Sequence, residues 1–381
     1  MDRQTQATLL DEIKTLEAEK AFFVSKEVHA SPVERYTSAE RFAAERKALF
    51  RSMPVIAAHA SELNGPGSYL TLHIAGSPVL LTRDKTGKVN AFLNVCRHRG
   101  TRLVGDASGC KKVFSCPYHG WTWDNEGTLR GVPHEKQGFP DLDRSQFGLK
   151  RLPVSERAGL IWVVADPAAD ADFDAHLAPL EDDLTWLEMA DLGVVATSRL
   201  TINANWKLIV EGGIEAYHFR VTHRHTIGPH FMDNLSSFQM LGPHMRSILP
   251  RTSVSELATD ATTPWSIRDH ANLLYSLMPM DQFLVLQDHI SWIHAEPVSE
   301  SQTELRISTL APRSQITPEK EEHWARNHKI TGVTLAEDFE VNEAAQVGML
   351  SGANESLTFG RYESALHVFN SLVEERVAAH A

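Results

Sequence analysis

Cysteine is scarce in this chain, with only three among 381 residues. Three cysteines are too few for a disulfide framework, and at this length we expect two domains, each with a real hydrophobic core. Long hydrophobic runs are missing as well. The longest apolar stretch, Gly159 to Ala165, is far too short to cross a bilayer. We therefore expect no membrane partner.

Positive charge is also in the minority, since the formal net charge is -12. No Lys/Arg cluster of the kind that meets phosphates occurs, which argues against nucleic acid as a partner. A G-x-G-x-x-G segment between a strand and a helix is absent, so we expect no dinucleotide bound by this chain. The first twenty residues contain acids and no apolar core, unlike a signal peptide, and we expect a cytoplasmic protein.

The residues that suggest chemistry are concentrated at positions 95–123. Cys96 and His98 come from one predicted loop, and Cys116 and His119 come from a second. A structural zinc site usually takes two Cys from one loop and two His from the other. One Cys and one His from each loop instead suit a [2Fe-2S] cluster with two thiolates on one iron and two imidazoles on the other, the Rieske arrangement. A zinc-stabilised binding module ranks last among the alternatives.

A second set of chemical residues lies in the segment NWKLIVEGGIEAYHFRVTH. Glu211, Glu215 and His218 are spaced i, i+4, i+7, which predicts that they share one helical face. His223 follows five residues after His218, so the helix should bend or end near Val221. Two histidines and a carboxylate that approach from one side suit the facial triad of a mononuclear non-haem iron.

The motif CRHRG followed by CPYHGW resembles the Rieske non-haem iron oxygenases, the large (alpha) subunits of the aromatic-ring-hydroxylating oxygenase family and their relatives. The resemblance implies an α+β fold, with an all-β Rieske [2Fe-2S] domain and a helix-grip (START-like) catalytic domain that contains a curved antiparallel sheet. We assign residues 1–50 to N-terminal helices that pack on the catalytic domain. Residues 51–165 are assigned to the Rieske domain and residues 166–381 to the mononuclear iron domain.

The resemblance also implies roles for single residues. His218 and His223 would bind Fe(2+), while Glu215 would be the acid that bridges His218 to His119 of a neighbouring subunit. Most relatives have Asp at this bridging position, and Glu occurs in some branches that act on quaternary amines. These roles make Glu215 the residue predicted to couple the two metal centres.

A third iron ligand is needed, and the segment EDFEVNEAAQ offers several acids. The apolar stripe of the predicted helix after Thr317 includes Asp338. A carboxylate on an apolar face is costly unless it is paired, and a cation such as iron would compensate it. Asp338 also resembles the late acidic iron ligand of the family, and we choose it over Glu337, Glu340 and Glu343.

The resemblance implies a terminal oxygenase that uses O2 and electrons from NAD(P)H, delivered by a separate flavin-containing reductase with or without a ferredoxin. We expect it to mono- or dihydroxylate an aromatic compound and to form a homotrimer, or a hexamer of trimers. A quaternary-amine (carnitine/betaine-type) monooxygenase or N-demethylase is the alternative, and a Rieske electron-transfer protein is a more distant one. Substrate contacts are expected at residues 208–214 and 225–235 and on strands between 240 and 292.

Overall fold

A computed structural model describes residues 1–257 and 265–380, apart from the side chain at position 256. Contacts divide the chain into two units, one formed by residues 50–173 and the other by residues 1–49 together with 174–381. The N-terminal segment of the larger unit contains α1 (Arg3–Glu19), β1 (His29–Pro32), α2 (Glu34–Thr37), α3 (Ala39–Glu45) and a π-helical turn (Arg46–Phe50).

The smaller unit is built from short antiparallel strands, as expected for an all-β domain. Its core is dominated by aromatic side chains, among them Phe92, Phe114, Trp121 and Trp123. The elements of this unit are β2 (Val55–His59), β3 (Ser68–Ile74), β4 (Ser77–Arg83), β5 (Val89–Leu93), β6 (Ser108–Cys110), β7 (Val113–Ser115), β8 (Thr122–Asp124), β9 (Leu129–Gly131), α4 (Glu135–Gly138), β10 (Arg151–Leu152), β11 (Val154–Arg157) and β12 (Leu160–Val163).

These strands form three sheets, with the orders β10-β5-β4-β3-β6, β11-β12-β2 and β7-β8-β9. Tight turns join neighbouring strands, and the turn between β4 and β5 illustrates why. Asp84 accepts hydrogen bonds from the backbone N–H groups of Thr86 and Lys88, which closes the turn around Gly87. The loops that carry the predicted cluster ligands follow β5 and β7.

The larger unit is organised around a seven-stranded antiparallel sheet with the order β13-β19-β18-β17-β16-β15-β14. The elements that follow β12 are α5 (Phe173–Leu177), α6 (Glu181–Trp186), β13 (Leu192–Ile202), α7 (Trp206–Gly213), α8 (Phe219–Thr222), β14 (Ser237–Leu241), β15 (His244–Pro250), α9 (Ile267–His270), β16 (Ala271–Leu277), β17 (Asp281–Val285), β18 (Ile290–Ser299), β19 (Gln302–Pro312), α10 (Glu321–Leu350), β20 (Ser356–Phe359) and α11 (Ser364–Ala378).

Helices α7 and α10 pack against this sheet through a shared core. Ile209 of α7 and Phe339 of α10 contact a cluster that includes Ile293 of β18 and Ile307 of β19. The antiparallel sheet expected for the catalytic domain is present. The predicted α+β fold is confirmed. No helix of the described residues is both long enough and apolar enough to cross a bilayer.

The predicted helical face of Glu211, Glu215 and His218 is wrong. Helix α7 ends at Gly213, and Glu215 and His218 lie in the irregular segment before α8. Glu211 is buried on the helix and accepts hydrogen bonds from Tyr36 OH and Asn370 Nδ2. The helix stops because two consecutive glycines destabilise it and because the chain must pass closely over Gln282.

Candidate metal centres

The two loops of the smaller unit that carry Cys and His have matching backbones. In the first loop, Cys96 N–H donates to the Thr101 carbonyl at 2.8 Å and Gly100 N–H donates to the Cys96 carbonyl at 3.0 Å. In the second loop, Cys116 N–H donates to the Trp121 carbonyl at 2.8 Å, and Gly120 N–H donates to the Cys116 carbonyl at 3.0 Å. Both glycines have positive φ, which explains why glycine occupies these positions.

The side chains of these loops suit a buried cluster on one side and an open edge on the other. The Cys96 and Cys116 thiols are almost fully buried, whereas His119 is exposed. Nδ1 of His98 is buried without a hydrogen-bond partner. An unpaired imidazole nitrogen is costly in the interior unless it binds something, so it fits a metal ligand.

Aromatic rings fix the two imidazoles. The His98 ring stacks on Trp121 with ring centroids 4.9 Å apart, and the His119 ring stacks on Tyr118 at 3.7 Å. The two imidazole centroids lie 4.8 Å from one another. The donor set of two thiols and two neighbouring imidazoles fits the predicted [2Fe-2S] cluster.

In the larger unit the structure brings His218, His223 and Asp338 together. Nε2 of His218 lies 3.2 Å from Nε2 of His223. Oδ1 of Asp338 lies 3.4 Å from the first of these nitrogens and 3.0 Å from the second. The three ligand atoms therefore surround one point, although the residues come from the α7–α8 segment and from α10.

Each of these imidazoles is held at Nδ1 by a different carboxylate. Nδ1 of His218 is hydrogen bonded to Oε1 of Glu215, and Nδ1 of His223 is 2.7 Å from Oε2 of Glu337. If both Nδ1 atoms donate to carboxylates, the facing Nε2 atoms present lone pairs to each other. Two lone pairs and a carboxylate directed at one point fit a metal cation.

The electrostatics of this group reflect the same arrangement. Burial disfavours the charged form of His218, but hydrogen bonds with Asp338 and Glu215 outweigh it and raise its pKa to about 10. Burial would raise the pKa of Asp338, yet hydrogen bonds from the two imidazoles in their protonated, metal-free form lower it below its usual value. The surroundings of His218, His223 and Asp338 thus favour a positive charge between these three side chains, which a bound metal ion would supply.

A cavity of about 80 Å³ opens beside the three residues. Three phenyl rings line it, from Phe219, Phe231 and Phe339, together with several aliphatic side chains. Its neutral polar side chains are Asn272, Gln282, Thr334 and Asn342. No Lys or Arg lines the cavity in the described part of the chain, and residues 258–264 contain neither.

The lining extends beyond the positions expected from the sequence. Residues from the expected ranges 208–214, 225–235 and 240–292 contribute, although residues 258–264 lie outside the described structure. Helix α10 supplies a further wall with Thr334, Leu335 and Asn342, which no local pattern indicated. Only the three-dimensional packing of α10 against the sheet brings these residues to the cavity.

The acids of α10 separate into distinct positions. Asp338 faces the histidines, whereas Glu340 is exposed and Glu343 accepts a hydrogen bond from Asn203 N–H. The sequence suggests Glu337 only as an alternative metal ligand. Its contact with His223 was missed because helical spacing alone does not say which adjacent acid meets the outer nitrogen of an imidazole.

Paired Cys/His loops in an all-β unit, and two histidines with a carboxylate beneath a helix-covered sheet, define the class of Rieske non-haem iron oxygenases. Family models agree with this class. Residues 53–153 match the Rieske [2Fe-2S] domain, and residues 189–379 match the catalytic domain of the ring hydroxylating alpha subunit. The chain belongs to the ring hydroxylating alpha subunit family, which confirms the resemblance and the two predicted iron cofactors.

Curated relatives within this family differ in substrate. The chain is 36% identical over 197 residues to the glycine betaine monooxygenase oxygenase subunit of Chromohalobacter salexigens, covering 51% of this chain and 43% of the relative. It is 33% identical over 192 residues to the chlorobenzene dioxygenase subunit alpha of Cupriavidus sp., covering 49% and 42%. The matched stretch thus spans less than half of each relative.

Among solved structures, a quaternary ammonium Rieske monooxygenase in complex with L-carnitine superposes with a TM-score of 0.78. The match covers 93% of this chain and 97% of that protein at 24% sequence identity. Identity at this level supports the fold alone. The curated relatives include oxygenase subunits of glycine betaine monooxygenase, at 36% identity, and of carnitine monooxygenase, at 32% identity. These relatives support the quaternary-amine alternative better than the expected aromatic hydroxylation.

Proposed function

We propose that this chain is the terminal oxygenase of a Rieske oxygenase system and that its substrate carries a quaternary ammonium group. Members of the family are oxidoreductases that incorporate O2. Electrons from NAD(P)H would arrive through a separate flavin-containing reductase, with or without a ferredoxin. One oxygen atom of O2 would hydroxylate a carbon bonded to the nitrogen, and the other would leave as water. The C–N bond of the hydroxylated carbon would then break to release a tertiary amine and an aldehyde.

The geometry above supports the residues that we assign to the two centres. Cys96, His98, Cys116 and His119 hold the [2Fe-2S] cluster in this proposal. The second centre, a mononuclear iron, is held by His218, His223 and Asp338. When bound, the two centres supply stored electrons and a place for O2 beside the substrate.

The protein's own part in the reaction is to orient these ligands and to link the centres. Glu215 accepts hydrogen bonds from the N–H groups of Tyr217 and His218, which hold its carboxylate against the His218 imidazole. We assign it the further role of bridging to His119 of a neighbouring subunit in a homotrimer. Glu337 orients the His223 imidazole in the same manner.

The charge of the cavity is the observation that carries the substrate proposal. Asp338, Glu215 and Glu337 supply three carboxylates around the metal position, against a divalent iron and two neutral imidazoles. No Lys or Arg among the described residues lines the cavity to offset the remaining negative charge. A cationic substrate head is favoured in such a field, and the phenyl rings of the lining can contact its methyl groups through cation–π attraction.

An aromatic substrate is the second candidate. The many apolar side chains of the lining and the similarity to chlorobenzene dioxygenase favour it. The negative field around the metal position would stabilise a cationic substrate head but not an uncharged aromatic ring.

A substrate panel separates the two candidates. Purified iron-replete protein with a surrogate reductase is offered γ-butyrobetaine, its tert-butyl isostere and chlorobenzene. The isostere keeps the carboxylate and lacks the cationic nitrogen. Released amine, aldehyde or hydroxylated product is measured against NADH consumed. The proposal expects coupled product from the ammonium compound and little from the isostere. Coupled hydroxylation of chlorobenzene without turnover of any ammonium compound would establish the aromatic candidate.

A further inference from the structure

The cavity beside the three predicted iron ligands has opposite hydrogen-bonding character at its two ends. At one end, Gln282 is buried and its amide nitrogen donates to the Val210 carbonyl at 2.9 Å and to Ser276 Oγ at 3.2 Å. The amide nitrogen has two hydrogens, so both are used. Its Oε1 alone remains, which makes this end of the cavity a hydrogen-bond acceptor.

At the other end, Asn272 is held by its amide oxygen and not by its amide nitrogen. Its Oδ1 accepts a hydrogen bond from Nη2 of Arg251 at 2.8 Å. Because the guanidinium can only donate, it fixes the oxygen on its own side and leaves the Asn272 amide nitrogen to donate. No hydrogen bond among the described residues uses that nitrogen. This end of the cavity therefore offers a donor backed by a positive charge.

The positive charge of Arg251 is not neutralised by an ion pair within the described residues. No carboxylate oxygen of the described residues lies within ion-pair distance of its guanidinium, and burial lowers its pKa although Asp269 opposes that effect. A half-buried guanidinium with one neutral partner is incompletely compensated. An anionic group at Asn272 would relieve this cost.

The two ends are separated by a distance that suits one small molecule. Gln282 of β17 pairs with Ser276 of β16 in the sheet. Ser276 lies four residues along β16 from Asn272, so the backbone positions of the two amide residues are about 13 Å apart along the strands. Residues two and four apart on a strand point to the same face, so both amides face the cavity. Leu274 and Leu284 form the apolar floor between them.

We propose that Asn272, backed by Arg251, anchors the carboxylate of a zwitterionic quaternary ammonium substrate whose cationic head lies towards Gln282 and Asp338. This inference rests on the proposed function and narrows it to ammonium compounds that also carry a carboxylate. A carboxylate in an apolar cavity is costly unless it is hydrogen bonded and its charge is compensated, and Asn272 with Arg251 is the place in the described lining that does both.

Two compounds that differ only in the carboxylate test the anchor. γ-Butyrobetaine has a trimethylammonium head and a carboxylate, and butyltrimethylammonium has the same head and no carboxylate. For the wild-type holoenzyme we expect a KM for γ-butyrobetaine about tenfold lower or more. Arg251→Gln should raise that KM about tenfold and leave both kcat and the KM for butyltrimethylammonium within about twofold, as expected for loss of one charged contact.

Two further variants separate anchoring from folding. Arg251→Lys keeps the charge and should recover part of the preference for γ-butyrobetaine. Arg268→Gln removes another partly buried arginine of the same unit, whose contacts are the carbonyls of Leu286 and His289, and should change neither KM. Calorimetric titration of each holoenzyme variant without O2 gives the same comparison as dissociation constants, independent of turnover.

The outcomes distinguish this inference from the proposed function. Equal affinity of the wild-type protein for the two compounds, or an equal shift of both in Arg251→Gln, would overturn the anchor and leave the quaternary ammonium assignment standing. Absence of binding and turnover for both compounds would overturn the proposed function and the anchor with it.

Discussion

Glu337 is the residue whose role is clearest from geometry and least visible in the sequence. Its Oε2 lies 2.7 Å from Nδ1 of His223 and accepts a hydrogen bond from Thr226 Oγ1 at 2.6 Å. A carboxylate in this position fixes the tautomer and the orientation of the imidazole, so that Nε2 faces the metal. The contact repeats, on the second histidine, what Glu215 does for His218.

We predict that Glu337→Gln lowers the affinity for divalent iron or cobalt by about 10- to 100-fold, because the imidazole loses its charged partner. Anaerobic titration of metal-free protein with cobalt, followed by absorption, measures this directly. Glu340→Gln removes the same charge from an exposed position on the same helix and should bind cobalt as the wild type does. Equal affinity in the two variants would contradict the assigned role.

Glu215 is predicted to link the two centres as well as to orient the His218 imidazole. We expect Glu215→Gln to retain both metals when iron is supplied in excess but to lose coupled turnover, because a neutral amide does not accept hydrogen bonds from two imidazoles as a carboxylate does. Single-turnover absorption of the reduced cluster measures how fast it is reoxidised in the presence of O2 and substrate. Glu355→Gln, an exposed glutamate, serves as the control. Reoxidation at the wild-type rate in Glu215→Gln would refute the bridge.

At the scale of elements, α7 shows where sequence periodicity fails. Asn205 caps the helix by accepting from Lys207 N–H, and Leu208 and Ile209 pack in the core with the sheet. The end of the helix was not predictable from spacing, since an i, i+4, i+7 pattern continued past Gly213. The close packing of the chain on Gln282 ends the helix, and that residue comes from a strand almost seventy positions later.

Two glycines on helices make a matched test of this packing. A Cβ at Gly213 would lie 2.6 Å from Nε2 of Gln282, whereas a Cβ at Gly332 in α10 would meet nothing within 4 Å. We expect Gly332→Ala to stabilise the protein by about 0.5–1 kcal/mol through helix propensity. Gly213→Ala should destabilise it by about 1 kcal/mol or more, because a displaced Gln282 loses its hydrogen bonds to Val210 and Ser276.

Urea unfolding at one pH measures both glycine variants. The midpoint should rise for Gly332→Ala and fall for Gly213→Ala, with similar slopes. A rise of equal size in both would show that Gln282 accommodates a methyl group without losing its contacts.

For the whole molecule, the buried acid Glu211 makes stability depend on pH. Its Oε1 accepts hydrogen bonds from Tyr36 OH and Asn370 Nδ2, both at 2.7 Å. Burial raises its pKa from 4.5 to about 7, against the opposing effect of these hydrogen bonds. Between these two pH values the folded protein binds more protons at Glu211 than the unfolded chain, so stability falls as pH rises through that window.

We predict that this loss amounts to about 3 kcal/mol in the wild type. In Glu211→Gln the decline between pH 4.5 and 7 should be smaller by that amount, because an amide that accepts the same hydrogen bonds does not titrate. Denaturant unfolding at several pH values gives the two curves. Glu375→Gln, at an exposed position of α11, should keep the wild-type curve, and parallel curves for Glu211→Gln and the wild type would contradict the prediction.

The sequence predicted the two metal motifs and the fold class because each motif is local, with ligands at fixed spacing in one loop or turn. Asp338 was predictable as well, because an acid on an apolar helical stripe needs compensation. The walls of the cavity and the Asn272–Arg251 contact depend on the pairing of β15 with β16 and on the packing of α10. Those contacts join residues far apart in the chain, and single-sequence periodicity contains no information about them.

The iron content of the whole chain finally separates an oxygenase from a Rieske electron carrier. Two irons of the cluster and one at the three-residue centre predict about three iron atoms per fully loaded chain. His223→Ala should retain about two, with the cluster spectrum intact, and Cys96→Ser should retain about one. Cys110→Ser alters the exposed third cysteine and should keep all of the iron. A wild-type content of about two that His223→Ala does not reduce would mean that the larger unit holds no iron and that the chain only carries electrons.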